Sequence, residues 1–273
     1  MKIRAQAQWK KLVRPLVPAG CARWWRRRFG WQWFRGSYAS WTEAQAASVG
    51  YDDAVVLERV VTAVRDVQAG RASWERDGAT FDLPEGNAPL LAALRQAAQA
   101  AGGHLDVVDY GGSLGSTWRQ HRQALQDLAT VRWRVVEQPH FVSAGGEFAD
   151  DHLSFHNSIE QALAGGKPAV ILLSSVLPYL ESPFALLEEV VRRKFPHVII
   201  DRTPLVRQGG TRLVVQHTPP ALGGGSYPCW LFARAPLLGP LQASGALIQE
   251  WPAIDDLALD VVHCGFHFQR KDA

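Results

Sequence analysis

Acidic residues are missing from the first 42 positions, which hold ten Lys/Arg. Cysteine is scarce too: Cys21, Cys229 and Cys264 are odd in number, far apart and without a C-x-x-C pair. That excludes a disulfide framework and a zinc knuckle, and it fits a reducing cytoplasm. No apolar run reaches the roughly 18 to 20 residues that span a bilayer. The basic start "WKKLVRPLVPAGCARWWRRRFG" is broken by charges and prolines, so neither a transmembrane helix nor a signal peptide is expected. No Gly-Lys-Ser/Thr follows a glycine-rich loop, which excludes a P-loop.

What is present is an ordinary globular chain with an unusual beginning. Its 273 residues are 47% hydrophobic, enough for one sizeable core with an accessory segment. The net charge of +3 hides an asymmetry, because beyond Thr42 there are 19 basic against 26 acidic residues. Residues 1–36 are therefore set apart as a basic segment, and six of the eleven tryptophans lie in the first 41 positions. Two readings stay open for it: tryptophans packed on the main domain with solvated arginines, or an anchor on an anionic membrane surface. The second would put the protein at the inner face of the membrane. A nucleic-acid partner is disfavoured, since the acidic remainder offers no second basic surface.

From residue 37 to 103 the pattern is helical. Ser40 with Glu43 matches a capping box. Val56, Leu57, Val60, Val61 and Val64 form one helix face, and "NAPLLAALRQAAQAAGG" predicts a helix from about Pro89 to Ala101, closed by glycines. From 104 the period changes. "HLDVVDY", "VRWRVVEQ", "HLSF", "AVILLSS" and "HVIID" are short apolar runs separated by helical stretches such as "STWRQHRQALQDLA" and "SPFALLEEVVRRKF". Buried strands alternating with helices predict a doubly wound, mostly parallel α/β domain over 104–273. An insertion is expected at about 203–228, followed by a helix around Trp230 to Ala243 and a terminal antiparallel strand pair.

"VVDYGGSLGS" is the first strand and its turn, where an open α/β sheet receives ligands. Gly111 and Gly112 permit close backbone approach, and Gly115 permits helix-to-strand packing, so the missing side chains read as room for a ligand. A dinucleotide turn needs G-x-G-x-x-G, yet Tyr110 stands where the first glycine should be. That disfavours an NAD-dependent oxidoreductase. What remains is D-x-G-G-S-x-G, with Asp109 before the turn, placed to hold an ammonium group, and Glu137 at the end of the second strand, placed to accept from ribose hydroxyls. A ribose and an amino-acid ammonium together describe S-adenosylmethionine (SAM).

"VILLSSVLPYLESPFALLEEVV" resembles the fourth-strand region of class I SAM-dependent methyltransferases. Together with "WFRGSYASWTEA", "VVEQPHFV", "IIDRTPLV", "VVQHTPP" and "SYPCW", it resembles a family of methyltransferases associated with bacterial surface-polysaccharide genes, over about residues 33 to 269. That family usually carries Gln where Pro178 stands. The resemblance implies a Rossmann-like, mostly parallel seven-stranded sheet with an N-terminal helical extension, and SAM as cofactor. It implies that Asp109, Gly111, Gly112, Ser113 and Gly115 line the methionine end of SAM, with Glu137 at the ribose. Gln138 and Phe141 border the adenosine, His156 and Asn157 edge the adenine, and Ser174 completes the set.

Methyl transfer from a sulfonium asks the protein for proximity, alignment and, for a hydroxyl acceptor, a base; no metal is required. His217 in the insertion is the first candidate base, with His140 second and Asp201 at a strand end. Arg202, with its fork of donors, and Tyr179 and Tyr227 are candidates for holding the acceptor, expected to be a small polar or glycan-type molecule. The competing reading is a methyltransferase fold kept as a non-catalytic assembly module.

Overall fold

The computed structural model describes residues 33–50, 53–82, 86–219, 224–253, 258 and 260–271. The expectations for residues 1–32 lie outside the described residues.

The described residues open with strand β1 (Phe34–Tyr38), helices α1 (Trp41–Ala46) and α2 (Asp53–Gln68), the hairpin β2 (Trp74–Arg76) and β3 (Ala79–Phe81), and helix α3 (Ala88–Ala100). The capping box at α1 forms as read: Glu43 N donates to Ser40 Oγ, and Ala39 N donates to the Glu43 carboxylate. The hairpin was not legible in the sequence; its Trp74 and Phe81 rings stack at 4.2 Å. Asn87 caps α3, with Pro89 in the first turn, where its missing N–H costs nothing.

Next come β4 (His104–Tyr110), α4 (Ser116–His121), β5 (Thr130–Val136), α5 (Pro139–Gly145), β6 (Leu153–His156), α6 (Ile159–Leu163), β7 (Val170–Ser174), α7 (Pro183–Arg193) and β8 (His197–Val206). The chain closes with β9 (Arg212–His217), β10 (Ser226–Leu231), α8 (Arg234–Ser244), β11 (Gly245–Pro252) and β12 (Val261–Arg270). Seven strands make one sheet in the order β11-β12-β8-β7-β4-β5-β6. The pairs among β4, β5, β6, β7 and β8 are parallel, whereas β12 runs antiparallel to both β8 and β11. The apolar runs are continuous because these strands are covered on both faces. Leu90, Leu94 and Trp118 pack on one side with Trp133 of β5, and Leu186, Leu187, Leu237 and Leu241 pack on the other.

Three boundaries differ from the sequence reading. The strand read as ending at Asp201 continues to Val206. The helix expected from Trp230 begins at Arg234, because Trp230 belongs to β10. The helix after the glycine turn is α-helical only to His121 and then tightens into a 3-10 segment, Arg122–Leu125.

Two accessory parts flank the sheet. On one side α2 lays Val60 and Val64 on Leu114 of the glycine turn and Phe148, with Phe141 and Phe155 beside them. On the other, β1, β9 and β10 form a separate antiparallel sheet, so β1 crosses the expected boundary at residue 36 and pairs with the insertion. Trp230 Nε1 of that sheet donates to Leu180 O beyond β7, 3.0 Å away. Among the described residues no helix is long and apolar enough to cross a membrane.

Candidate active site

The strand order reverses direction at β4: β5 and β6 follow on one side, β7 and β8 on the other. An open α/β sheet leaves a crevice at such a switch point, outside the carboxyl ends of its strands. The turn Gly111–Gly115 stands there.

The reason for Gly112 differs from the sequence reading, whereas Gly115 serves helix-to-strand packing as read. A Cβ on Gly112 would lie 2.6 Å from the Asp109 carboxyl, and one on Gly115 would lie 2.9 Å from Leu153. The space is taken by the protein's own atoms. The backbone also turns left-handed at Gly111, Ser113 and Gly115, with φ of 73°, 54° and 84°, a region that only glycine enters without strain. Ser113 is held there because its N–H donates to Glu137 Oε1 at 3.1 Å. The other Glu137 oxygen accepts from Gln138 N at 2.9 Å. Burial raises the Glu137 carboxyl above its usual range, and these two N–H groups oppose that rise.

Asp109 lies beneath the turn and is 1% exposed. Its Oδ2 accepts from the indole of Trp133 at 2.8 Å, while Oδ1 has no protein partner. Burial pushes this carboxyl up to about 7; Trp133 pulls it down and Glu137 adds to the rise. Oδ1 is therefore the atom able to receive a donor from a ligand.

Asp201 does not face the cleft. It is 1% exposed, and its oxygens accept from Trp251 Nε1 at 2.9 Å, Asn87 Nδ2 at 2.9 Å and Ser174 Oγ at 3.3 Å. With both oxygens committed, Asp201 ties α3, β7 and β11 to the strand end and is a positioning residue rather than a base. Ser174 is drawn into the same cluster.

The remaining candidates divide between the two flanks. On the β5 and β6 side, His140 lies in the first turn of α5 with its ring 5.0 Å from Phe141. His156 shares a 2.9 Å hydrogen bond with Ser154, and burial, with Arg134 nearby, lowers its pKa. Asn157 is exposed, with its N–H donating to Gln161. On the β7 and β8 side, Tyr179 and Tyr227 meet edge to face at 5.2 Å. Tyr179 is 38% exposed overall, but its hydroxyl donates to the buried Gln216 at 3.2 Å. Burial raises this phenol well above its ordinary range. His217 ends β9 opposite Ser226, one register position on from the Gln216–Tyr227 pair, and its N–H donates to Trp33 O. Burial, then the charge of Arg35, lowers its pKa, so it is neutral at pH 7.

Three comparisons with known proteins follow from this geometry. No protein-family model matches the chain, and no curated protein sequence matches it. Among solved structures it is similar to the N-terminal domain of EvdMO1, crystallised with S-adenosylhomocysteine (SAH) and D-fucose, at 14% identity and a TM-score of 0.48, over 81% of this chain and 98% of that one. It is also similar to the [4+2]-cyclase SpnF, at 12% and 0.49 over 78% and 93%. A third is magnesium protoporphyrin IX methyltransferase from Synechocystis PCC 6803 with bound SAH, at 13% and 0.45 over 96% and 99%. The seven-stranded sheet, parallel over β4 to β8 with β12 reversed, is a Rossmann-like α/β sheet. Identities this low say nothing of the reaction.

One residue at the site escaped the sequence reading. Glu75, on the hairpin, is 3% exposed; Ser116 Oγ, at the start of α4, donates to its Oε1, and its Oε2 has no partner. Burial pushes this carboxyl up to about 7, against the pull of Ser116, and Asp77 adds to the rise. Because the folded value lies above the unfolded one, stability is full at low pH and falls as pH rises towards 7. In Glu75→Gln that share of the slope is expected to vanish. Urea unfolding at pH 5 and pH 8 should show the variant losing on the order of 2 kcal/mol less than wild type between the two.

Proposed function

We propose that the chain is a SAM-dependent methyltransferase acting on a hydroxyl of a small polar or glycan-type acceptor, such as a precursor of a surface polysaccharide. The observation that carries this reading is the D-x-G-G-S-x-G turn at the switch point of a class I sheet, with a half-buried carboxylate, Glu137, bound to the turn's own N–H. Both Glu137 oxygens sit at the end of β5, where ribose hydroxyls would meet them. Asp109 Oδ1, buried and without a protein partner, suits the ammonium of the methionine part. SAM supplies an activated methyl group on a sulfonium that carries its own leaving group.

The protein's share is alignment and proton handling. His217, neutral at pH 7, takes the acceptor's hydroxyl proton, with His140 the second choice. Arg202, Tyr179 and Tyr227 line the acceptor side. Gln138, His156 and Asn157 border the adenosine, and a basic N-terminus at the inner membrane face would meet lipid-linked acceptors.

Calorimetric titration with SAH and, separately, NAD tests the cofactor. Micromolar SAH binding with no NAD binding is the expected result. A folded sample that binds neither would leave the non-catalytic assembly module as the reading. Once an acceptor is in hand, His217→Ala should lower kcat by about 100-fold or more while SAH affinity stays unchanged.

A further inference from the structure

Arg202 is held in a way that side-chain packing alone does not account for. Its φ of 50° is left-handed, a conformation that costs about 1 kcal/mol or more outside glycine. The surrounding residues impose it. Across the ladder Ile200 faces Phe266 and Thr203 faces Cys264, so Asp201 and Arg202 together oppose Gly265 in a bulge. Gly265 has no alternative there, since a Cβ would come 2.0 Å from the Trp251 indole. That same indole holds Asp201, as do Asn87 and Ser174.

The guanidinium so presented has no hydrogen bond among the described residues. Its ion pair among the described residues is with Asp201, at 3.8 Å from Nε, and the side chain is 19% exposed. None of its nitrogens is shut off from solvent, so the fork of donors stays open to an incoming acceptor, while the neighbouring Asp201 carboxylate already accepts from three other groups. Arg202 lies within β8, one residue past the Ser174–Asp201 pair that ends the ladder with β7, two strands from the glycine turn, or roughly 10 Å at ordinary strand spacing. Its charge reaches both the Asp109 carboxyl and the Tyr179 phenol.

We propose that Arg202 is the receptor for an anionic group on the acceptor, a carboxylate or a phosphate, so that the molecule methylated here is an acid. The proposal rests on the glycine turn being the cofactor site. The planar fork of the guanidinium takes two oxygens of such a group at once, and the edge-to-face tyrosines lie against the acceptor's ring. A neutral sugar offers hydroxyl acceptors but no charge to pair with the guanidinium.

The test uses the full chain saturated with SAH and titrated with inorganic phosphate, benzoate and D-glucuronate, against benzamide and D-glucose as neutral counterparts. At least one anion is expected to bind tenfold or more tightly than the neutral molecules. That preference should disappear in Arg202→Gln and survive in part in Arg202→Lys, with SAH affinity within twofold throughout and thermal melts checking the fold. Among the anions, phosphate against the two carboxylates tells which group is read. Anions bound no better than neutral molecules, or equally well by Arg202→Gln, would overturn the proposal. So would a matching loss of SAH affinity in Arg202→Gln, which would assign the residue to the cofactor. Failure of wild type to bind SAH at all would instead remove the cofactor reading on which the proposal stands.

Discussion

Gly112→Val is expected to abolish SAH binding, with a loss of at least about 100-fold, in a protein that still folds. The added Cβ would sit 2.6 Å from Asp109 Cγ and Oδ2. The carboxyl cannot swing aside without breaking its 2.8 Å bond from buried Trp133, so the turn must lift. Lifting it separates Ser113 N from Glu137 and removes the geometry that presents Glu137 to a ribose. Overpacking of this kind costs roughly 1 to 3 kcal/mol, less than a domain of this size commands. Circular dichroism should therefore report native secondary structure while calorimetry reports no heat. Alanine at the same position carries the same Cβ and should lose most of the affinity too. Retained micromolar binding in the valine variant would mean that the ligand sits elsewhere.

Asp201→Ala is expected to cost more stability than the loss of any other single polar group at the site, roughly 3 to 5 kcal/mol. Three donors converge on this carboxylate, from Asn87, Ser174 and Trp251, and truncation leaves them facing a hole beside the charge of Arg202. The melting temperature should fall by roughly 10 °C. Asp201→Asn should be little better, because an amide turns a donor towards either Trp251 or Asn87. Trp251→Phe removes one donor and should cost only part of this. A silent Asp201→Asn in thermal unfolding, with lost activity, would instead return Asp201 to the list of bases.

The sheet was legible because its signal is local. Parallel strands covered on both faces must be continuous apolar runs, so "HLDVVDY" and "AVILLSS" announced themselves, as did the antiparallel pair at the end of the chain. The turn itself was legible for a similar reason: it joins a strand to the helix that follows, so Asp109 and the glycines are neighbours in sequence as well as in space, whereas Glu137 meets Ser113 from 24 residues away. The hairpin carrying Glu75 was not, because three-residue strands have too few positions to show a period. Nor was the continuation of β8 past Asp201, where a bulge at Arg202 bends the ladder rather than ending it.

By itself the sequence determined the doubly wound class, the switch-point turn and the residue types that a nucleoside and an amino-acid group would need. Only the tertiary structure decided which groups surround each of those residues. Asp201 looks like a base at a strand end until Asn87, 114 positions earlier, and Trp251, 50 positions later, are seen to fill its oxygens. Gly112 looks like room for a ligand until the Asp109 carboxyl is seen occupying that room. Period and turn chemistry are set by neighbours along the chain, whereas a buried carboxylate's role depends on which donors the fold brings to it, and those come from strands and helices whose meeting no local pattern records.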